Sequence, residues 1–136
     1  MTTKIFVNLP VKDLKRSSAF YSALGYRFNQ QFSDEKAASF AISDDIYVML
    51  LVEPFFKTFT PRPVADGRSA TEVITALTAD SKDEVNRIAE AALAAGAVEA
   101  GPTQDEASMY SRSLQDPDGH IWEYFWMDPG ALPPVE

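Results

Sequence analysis

From the fifth position of the chain, aliphatic side chains recur with a period of two, and a helical pattern then follows. Four apolar side chains recur at every second position: Ile5, Val7, Leu9 and Val11. This period is typical of a β-strand that buries one face. Asp13 then stands at a helix N-cap position, and Gly25 follows Leu24 where a helix is expected to end. Residues 5–25 therefore predict a strand, a turn, a helix and a glycine stop.

Residues 73–96 repeat this pattern. Ser81 and Glu84 have the S-x-x-E spacing of a capping box. One apolar helix face follows, formed by Val85, Ile88, Ala89, Ala92 and Leu93. The strands superpose at an offset of 66 residues, whereas the closing glycines Gly25 and Gly96 are 71 apart. The difference predicts an insertion of five residues before the second helix.

Three strand-like segments follow each helix. The first set spans 27–32, 38–42 and 46–52, and the second spans 98–101, 110–115 and 120–126. The sequence DPDG at 116–119 predicts the last turn. Both halves are therefore β-α-β-β-β modules, at about 4–53 and 71–127. A connector at 54–70, with a short helical turn, and a proline-rich tail at 128–136 complete the organisation.

A sheet with one apolar face must bury that face against its helix. We therefore predict one domain of the α+β class, made of two pseudo-symmetric β-α-β-β-β modules. Their curved mixed sheets are expected to line a shared cleft. A chain of 136 residues fits a single domain, and 46% hydrophobic with 24% charged residues is ordinary globular composition.

Charge and composition narrow the range of functions. Lys and Arg number 12 against 20 Asp and Glu, so the net charge is −8, which disfavours nucleic-acid binding. The sequence contains no cysteine, which excludes disulfides, thiolate ligands and thiol nucleophiles. The start, MTTKIFVNLPVKDLKR, has no long apolar run. We therefore expect no signal peptide, no membrane span and a cytoplasmic protein.

Two motifs carry a resemblance to a known family. The V-x-D-L-x-x-S-x-x-F-Y run at 11–21 and the DPDG-x-x-x-E run at 116–123 occur together, at the two ends of the duplication. In this combination the chain resembles the vicinal-oxygen-chelate superfamily over about residues 4–127. That superfamily includes glyoxalase I, bleomycin- and fosfomycin-resistance proteins and extradiol dioxygenases. Its members share a fold more than a reaction.

The resemblance implies four metal-ligand positions, two from each module, usually His, Gln or Glu. Glu123 matches the last of them, and the 66-residue offset carries the first-strand position of the second module to Glu72. The other two positions hold Phe6 and Met49, and neither a phenyl ring nor a thioether suits the ions of this family. If Glu72 and Glu123 face the cleft together, they form either a weak divalent-metal site or an acid/base pair with one raised pKa. Alternatively, Glu72 is a solvated residue at the start of a strand.

Strand alternation adds further candidates for ligand contact. Asn8 shares a face with Phe6, and the resemblance places pocket residues at Ser111 and Ser113. Arg112 would then point the other way and is a candidate anion contact. The connector phenylalanines are interpreted as core, as a cap on the cleft or as a dimer contact: Phe55, Phe56 and Phe59.

Two functions from different classes follow. In the first, the chain binds a small apolar or cationic molecule without a complete metal site, as the resemblance to bleomycin-resistance proteins implies. In the second, it is a glyoxalase-like lyase, an isomerase or a dioxygenase in which Glu72, Glu123 and a divalent ion stabilise an enolate-like intermediate. A metal-independent enzyme with a carboxylate base is a third possibility. The resemblance also implies a homodimer.

Overall fold

The structure, a computed structural model, describes residues 2–131. The chain divides into two compact units, and each is described by itself. Unit 1 runs to Ala70 and also contains Pro117–Gly119, whereas unit 2 contains Thr71–Asp116 and continues from His120. The boundary after Ala70 coincides with the end of the predicted connector. The predicted tail at 128–136 is described only up to residue 131, and Pro129–Ala131 form a 3₁₀ turn. The rest of the predicted tail lies outside the described residues.

Unit 1 contains the first predicted module. Its strands are β1 (Ile5–Val11), β2 (Arg27–Asn29), β3 (Ala37–Ala41) and β4 (Ile46–Val52), and its first helix is α1 (Leu14–Ala23). The sheet has the order β1-β4-β3-β2, with β1 parallel to β4 and the other pairs antiparallel. The connector forms the short helix α2 (Glu53–Phe56) and a 3₁₀ turn at Lys57–Phe59, so the predicted helical turn is present.

Unit 2 contains the second module. Its strands are β5 (Ile74–Thr78), β6 (Val98–Glu99), β7 (Gln104–Asp105), β8 (Met109–Gln115) and β9 (Ile121–Met127), and its helix is α3 (Lys82–Ala94). The order is β5-β9-β8-β6, with β7 also paired to β8, and β5 runs parallel to β9. The α+β class and the duplicated β-α-β-β-β topology are therefore confirmed.

The two module helices, α1 and α3, begin and end where the sequence predicts. The Asp13 carboxylate accepts a hydrogen bond from the Arg16 amide, and the Ser81 hydroxyl accepts one from the Glu84 amide. Gly25 and Gly96 follow the last helical turns with φ of +90° and +112°, a region that favours glycine. The N-caps are 68 residues apart, and α1 has 10 residues against 13 in α3. The predicted insertion of five residues before the second helix was therefore wrong: the extra residues number three and lie within the helix.

Each sheet buries one face against its helix. In unit 1, α1 packs on β3 and β4, and the side chains of Phe40, Val48 and Leu50 are fully buried. In unit 2, α3 packs on β8 and β9 and covers Trp122 and Tyr124, each 2% exposed. Burial of these large apolar side chains is the main stabilising contribution to each unit.

Several strand bounds differ from the prediction by one or two residues, and two differences are larger. The strand predicted at 27–32 ends at Asn29, because the Asn29 side chain accepts a hydrogen bond from the Gln31 amide and starts a 3₁₀ turn at Gln30–Phe32. The short strand β7 was not predicted, since it has only two residues and Asp is depleted in strands. No helix within residues 2–131 combines the length and the apolar character needed to cross a bilayer.

The turn before β9, Pro117–Gly119, belongs to unit 1 and packs within it. The Asp118 carboxylate is buried and accepts hydrogen bonds from the Ser17 hydroxyl at 2.9 Å and from the Lys12 amide at 3.0 Å. Arg16 lies 3.3 Å from the same carboxylate. Gly119, at φ +89°, lies so close to the Gly67 backbone that a Cβ atom would approach it to 2.7 Å. A side chain at Gly119 would thus displace backbone.

Candidate functional site

The alternation of β9 places Glu123 on the sheet face opposite α3. Trp122 and Tyr124 are buried under the helix, whereas Ile121, Glu123 and Phe125 are half-buried on the other face. This is the orientation predicted from the sequence. We call the face that carries Glu123 the Glu123 face.

Sheet register places the predicted polar residues beside Glu123. Ser113 on β8 is directly opposite Glu123, and Ser111 is opposite Phe125. On the other side of β9, Ala76 is the parallel partner of Glu123. The row across unit 2 is therefore Ala76, Glu123 and Ser113. The structure thus brings together Ser111, Ser113 and Glu123.

The Glu123 carboxylate is distinguished by what surrounds it. It is half-buried, and within residues 2–131 no side chain or backbone group forms a hydrogen bond or ion pair with it. A carboxylate removed in part from water needs a donor to offset its lost hydration. Glu123 is therefore a polar group prepared to accept a hydrogen bond from a bound molecule.

An equivalent row crosses the sheet of unit 1. Met49 on β4 is the register partner of both Asn8 on β1 and Ser39 on β3. The parallel pairs match between the units, so that Asn8, Met49 and Ser39 correspond to Ala76, Glu123 and Ser113. We call this the Met49 face. Asn29 on β2, the antiparallel partner of Ser39, extends this row to four residues with polar or sulfur-bearing side chains.

Aromatic stacking occupies the end of the Met49 face. The Phe6 ring lies parallel to the Tyr47 ring, with centroids 4.6 Å apart and planes at 8°. Phe6 remains 47% exposed, so its outer ring face is accessible. The Asn8 amide donates to the Phe6 carbonyl at 3.1 Å. Phe6, Asn8 and Met49 therefore share one sheet face, and Phe6 presents an apolar, π-rich surface.

Ser39 was not identified from the sequence as a candidate site residue. Its side chain is fully buried, and its hydroxyl has no hydrogen-bond partner among the described residues. A buried hydroxyl without a partner costs about 1–3 kcal/mol. The signal that identifies it is the alternation of β3, where Ser39 interrupts an apolar run and lies on the face opposite Phe40.

The strand register corrects the ligand position that the sequence assigned to Glu72. Ile74, not Glu72, is 68 residues after Phe6 and begins β5, opposite Ile121. Glu72 is exposed and lies two residues before the strand. Because Ala76 is the partner of Glu123, Glu72 is about 13 Å of extended chain away from that position. The structure does not bring Glu72 and Glu123 together, and the 66-residue offset that paired them was wrong.

The residues present do not fit the divalent-metal site that the resemblance implies. Of its four ligand positions, those at Phe6 and Ile74 hold hydrocarbon side chains, Met49 offers a thioether, and Glu123 alone offers oxygen. Hard and borderline cations need several oxygen or nitrogen donors. Within residues 2–131, no group of three His, Asp or Glu side chains is arranged to hold an ion.

Arg112 lies on the opposite face from Glu123, as predicted, and its charge is already paired. Its guanidinium contacts Glu90 at 2.8 Å and Glu99 at 2.9 Å, and its side chain is 12% exposed. Desolvation by burial lowers the pKa of Arg112, but the hydrogen bonds and charges of Glu99 and Glu90 outweigh it and raise the pKa above its ordinary value. These contacts assign Arg112 to an internal ion-pair network and not to anion binding.

The connector phenylalanines form a surface cluster. Phe55 and Phe56 are half-buried, and Phe59 is 69% exposed. The Phe55 and Phe59 rings pack edge to face with centroids 5.1 Å apart, and the Lys36 ammonium lies 5.8 Å above the Phe55 ring. None of the three is fully buried, so the interpretation as core is not supported within unit 1.

Comparison with known proteins yields one sequence-family match and many structural matches. Residues 3–43 match the family model described as bleomycin resistance protein-like N-terminal. A search of curated proteins finds no match. Among solved structures, a glyoxalase/bleomycin resistance protein/dioxygenase from Nocardioides is 24% identical, with a TM-score of 0.74, over 100% of this chain and 90% of that one.

Two further structures are similar over nearly their whole length. A hypothetical protein from S. aureus is 24% identical with a TM-score of 0.77, over 93% of this chain and 94% of that one. Lactoylglutathione lyase from Agrobacterium tumefaciens is 18% identical with a TM-score of 0.68, over 93% and 94%. Likeness at these identities establishes the fold, which members of such a group use for different reactions.

Proposed function

We propose that this chain, which has the fold of the glyoxalase, bleomycin-resistance and dioxygenase proteins, binds a small molecule without a metal centre. Glu123 is its principal ligand-contacting residue. The observation that carries the proposal is the half-buried Glu123 carboxylate, to which no described residue donates a hydrogen bond. At the equivalent position of unit 1, Met49 carries no charge at all.

The chemistry of the Glu123 face indicates the kind of ligand. A single carboxylate accepts from an ammonium, guanidinium or amide group, and the Ser113 hydroxyl beside it can donate or accept. The half-buried Phe125 ring on the same face offers an apolar and π-rich contact. A net charge of −8 attracts cations and slows anions. These features favour a neutral or cationic molecule with an apolar body.

The alternative, a divalent-metal-dependent lyase, isomerase or dioxygenase, depends on a second donor near Glu123. Glu72 was the proposed donor, and it lies outside β5 while Ile74 occupies the corresponding position. One carboxylate does not hold a catalytic ion against water. The donor set therefore supports the binding function over the metal-dependent one.

Titration calorimetry with metal-free bleomycin tests the role of Glu123. Bleomycin is the cationic probe that the resemblance suggests. We expect saturable binding that Glu123→Gln weakens about tenfold or more, because a charge-assisted hydrogen bond is lost. Glu72→Gln is the matched control, since it removes an exposed carboxylate of the same unit. Equal weakening by both variants would contradict a specific role for Glu123.

Elemental analysis after dialysis against Zn²⁺, Mn²⁺ or Ni²⁺ tests the metal-dependent alternative. We expect no stoichiometric ion in the wild-type protein. One ion per chain that Glu123→Gln abolishes would overturn the binding-only function. Lactoylglutathione lyase or epoxide-opening activity without added metal would instead indicate an enzyme with a carboxylate base.

We further propose that the protein is a cytoplasmic homodimer. Large apolar side chains are exposed on unit 2, among them Val73, Ile74 and Val98, each more than half exposed. The absence of cysteine is compatible with a reducing compartment. Light scattering coupled to size-exclusion chromatography is expected to give twice the 15.0 kDa chain mass.

A further inference from the structure

A pocket of about 420 Å³ opens in unit 1 between α1 and the β2–β3 connection. Its apolar walls are formed by Leu14, Phe28 and Ala38, and none of the residues that line it belongs to the Met49 face row Asn8, Met49 and Ser39. The volume lies in the range of small-ligand sites. The Phe28 ring is 52% exposed although it also packs against Phe40, with centroids 5.5 Å apart. The pocket thus offers a fixed aromatic surface to a ligand.

Three charged residues line the same pocket: Lys15, Asp34 and Glu35. None of them forms an ion pair with another described residue, although the described part of the chain contains seven such pairs elsewhere. One oxygen of Asp34 is occupied by the amides of Lys36 and Ala37 at 2.8 and 3.1 Å, which fixes the carboxylate in place. Two negative groups and one positive group give the pocket a net negative charge.

We propose that this pocket is a second ligand site, which takes a small organic ammonium ion with an aromatic or similarly flat apolar body. The apolar body contacts the Phe28 ring and Leu14, and the ammonium group lies toward Asp34 and Glu35. Aromatic faces attract cations as well as apolar groups, so Phe28 contributes to both parts. The proposal does not depend on the function of Glu123, because the two sites share no residue.

Amide chemical-shift titration with three probes that share a phenylethyl body tests the charge preference. Phenethylamine, 2-phenylethanol and 3-phenylpropionate have similar bodies and differ in charge. We expect phenethylamine to bind with a dissociation constant of about 1 mM, with shifts centred on Ser18, Phe28 and Glu35. We expect the alcohol to bind more weakly and the anion not to bind measurably.

Variants assign the contributions of individual side chains. Phe28→Ala is expected to weaken phenethylamine about threefold to fivefold, and Glu35→Gln about threefold. Asp34→Asn combined with Glu35→Gln is expected to weaken it about tenfold. Lys15→Gln is expected to tighten it, because a like charge is removed. Phe59→Ala and Glu106→Gln are matched controls, since both residues are exposed and line no part of this pocket.

Three results would overturn the proposal. The first is binding of 3-phenylpropionate at least as tight as that of phenethylamine, since Lys15 would then supply the dominant charge. The second is a set of shifts confined to Ser111, Ser113 and Glu123, which would place the amine on the Glu123 face. The third is the absence of saturable shifts with any probe. We expect Glu123→Gln to leave the phenethylamine shifts at Ser18, Phe28 and Glu35 unchanged even if bleomycin binding is lost. Failure of one site is therefore distinguishable from failure of the other.

Discussion

At equivalent points of the two sheets, unit 1 carries Met49 where unit 2 carries Glu123, although a serine lies beside each on the neighbouring strand. The flanking residues that turn toward the helices remain apolar in both modules: Val48 and Leu50 in one, Trp122 and Tyr124 in the other. The buried faces of a duplicated sheet are held to apolar residues by packing. The opposite faces are free to diverge, and that is where the chemistry of the two units differs.

The corresponding turns differ in the same way. The Asp44 side chain, between β3 and β4, is 95% exposed and pairs with Arg27 at 3.6 Å. Asp118, between β8 and β9, is 4% exposed and accepts hydrogen bonds from Ser17 and the Lys12 amide. One turn is a solvated surface feature, and the other is part of a folded interior. Buried residues such as Asp118 and Trp122 are therefore expected to determine stability, whereas the residues of the open sheet faces are available for binding.

The largest expected change in the free energy of unfolding tests whether the helix-facing sides of the two sheets both stabilise the fold. Trp122→Ala should lower the free energy of unfolding by about 3–5 kcal/mol, because it empties a large buried volume. Val48→Ala, at the equivalent position of unit 1, should cost about 2 kcal/mol, since fewer buried methyl groups are removed. Urea unfolding followed by far-UV circular dichroism measures both. A smaller loss for Trp122→Ala than for Val48→Ala would contradict the assignment.

The two turns provide the next test. Asp118→Ala should cost about 2–3 kcal/mol, because it leaves the Ser17 hydroxyl and the Lys12 amide without their acceptor. Asp44→Ala should change the free energy of unfolding by no more than about 0.5 kcal/mol, as expected for an exposed pair. Thermal and urea unfolding of both variants check the contrast. Similar losses would show that burial does not distinguish the turns.

Exchanging the central residues of the two sheet faces should give effects of opposite sign. Met49→Glu should lower the free energy of unfolding by about 1–2 kcal/mol, because it half-buries a charge. Glu123→Met should raise it by about 0.5–1 kcal/mol while it weakens binding of the probe, as expected of a residue kept for function. Unfolding and calorimetry on the same samples measure both properties. A destabilised Glu123→Met protein would indicate a structural role for the carboxylate.

The N-caps should be equivalent between the modules. Ser81→Ala and Asp13→Ala each remove the acceptor of one amide hydrogen bond at the start of a helix. Each should therefore cost about 1 kcal/mol. Ser81→Asp, which keeps an acceptor, should restore the free energy of unfolding. A cost confined to one module would show that one cap is redundant.

The smallest effect concerns a pair that only α3 carries. The hydrogen bond that the Arg87 side chain donates to the Glu84 carboxylate lowers the pKa of Glu84, although desolvation opposes it. Because the folded pKa is depressed, the contribution to stability is present above the unfolded pKa and is lost as pH falls through the folded pKa. In Arg87→Gln, carboxyl NMR titration should show the pKa of Glu84 returning toward its ordinary value. Lys82→Gln, which removes the pair with Asp105 and the cation–π contacts with Tyr110 and Trp126 but no contact with Glu84, should leave it unchanged.

Local features of this chain were predictable, because they depend on residues close in sequence. The strand at Ile46–Val52, the caps at Asp13 and Ser81, and the outward side of Glu123 follow from alternation and capping. The equivalence of Phe6 with Ile74 was not predictable. Three extra residues within α3 shift the closing glycine but leave no mark that separates a longer helix from a longer loop.

Features formed by distant residues were also missed. Ser39 becomes an unpartnered buried hydroxyl only when β2 and β4 pair on either side of it. The DPDG motif predicts a turn, but its sequence does not show that Asp118 would be buried against Ser17. The sequence therefore predicts correctly that Glu123, Ser111 and Ser113 share one sheet face, but it misplaces Glu72, because the position of Glu72 depends on strand register.

The buried position of Asp118 has a consequence for the order in which the chain can fold during synthesis. Ser17 and Asp118 are 101 residues apart in the sequence. The first seventy residues leave the ribosome long before the acceptor for Ser17 and the Lys12 amide exists. Until the segment after β8 has been made, unit 1 therefore lacks the acceptor for these two donors and is less stable. Completion of unit 1 is thus a late step in synthesis, and a nascent chain stalled before residue 118 is expected to be sensitive to proteases.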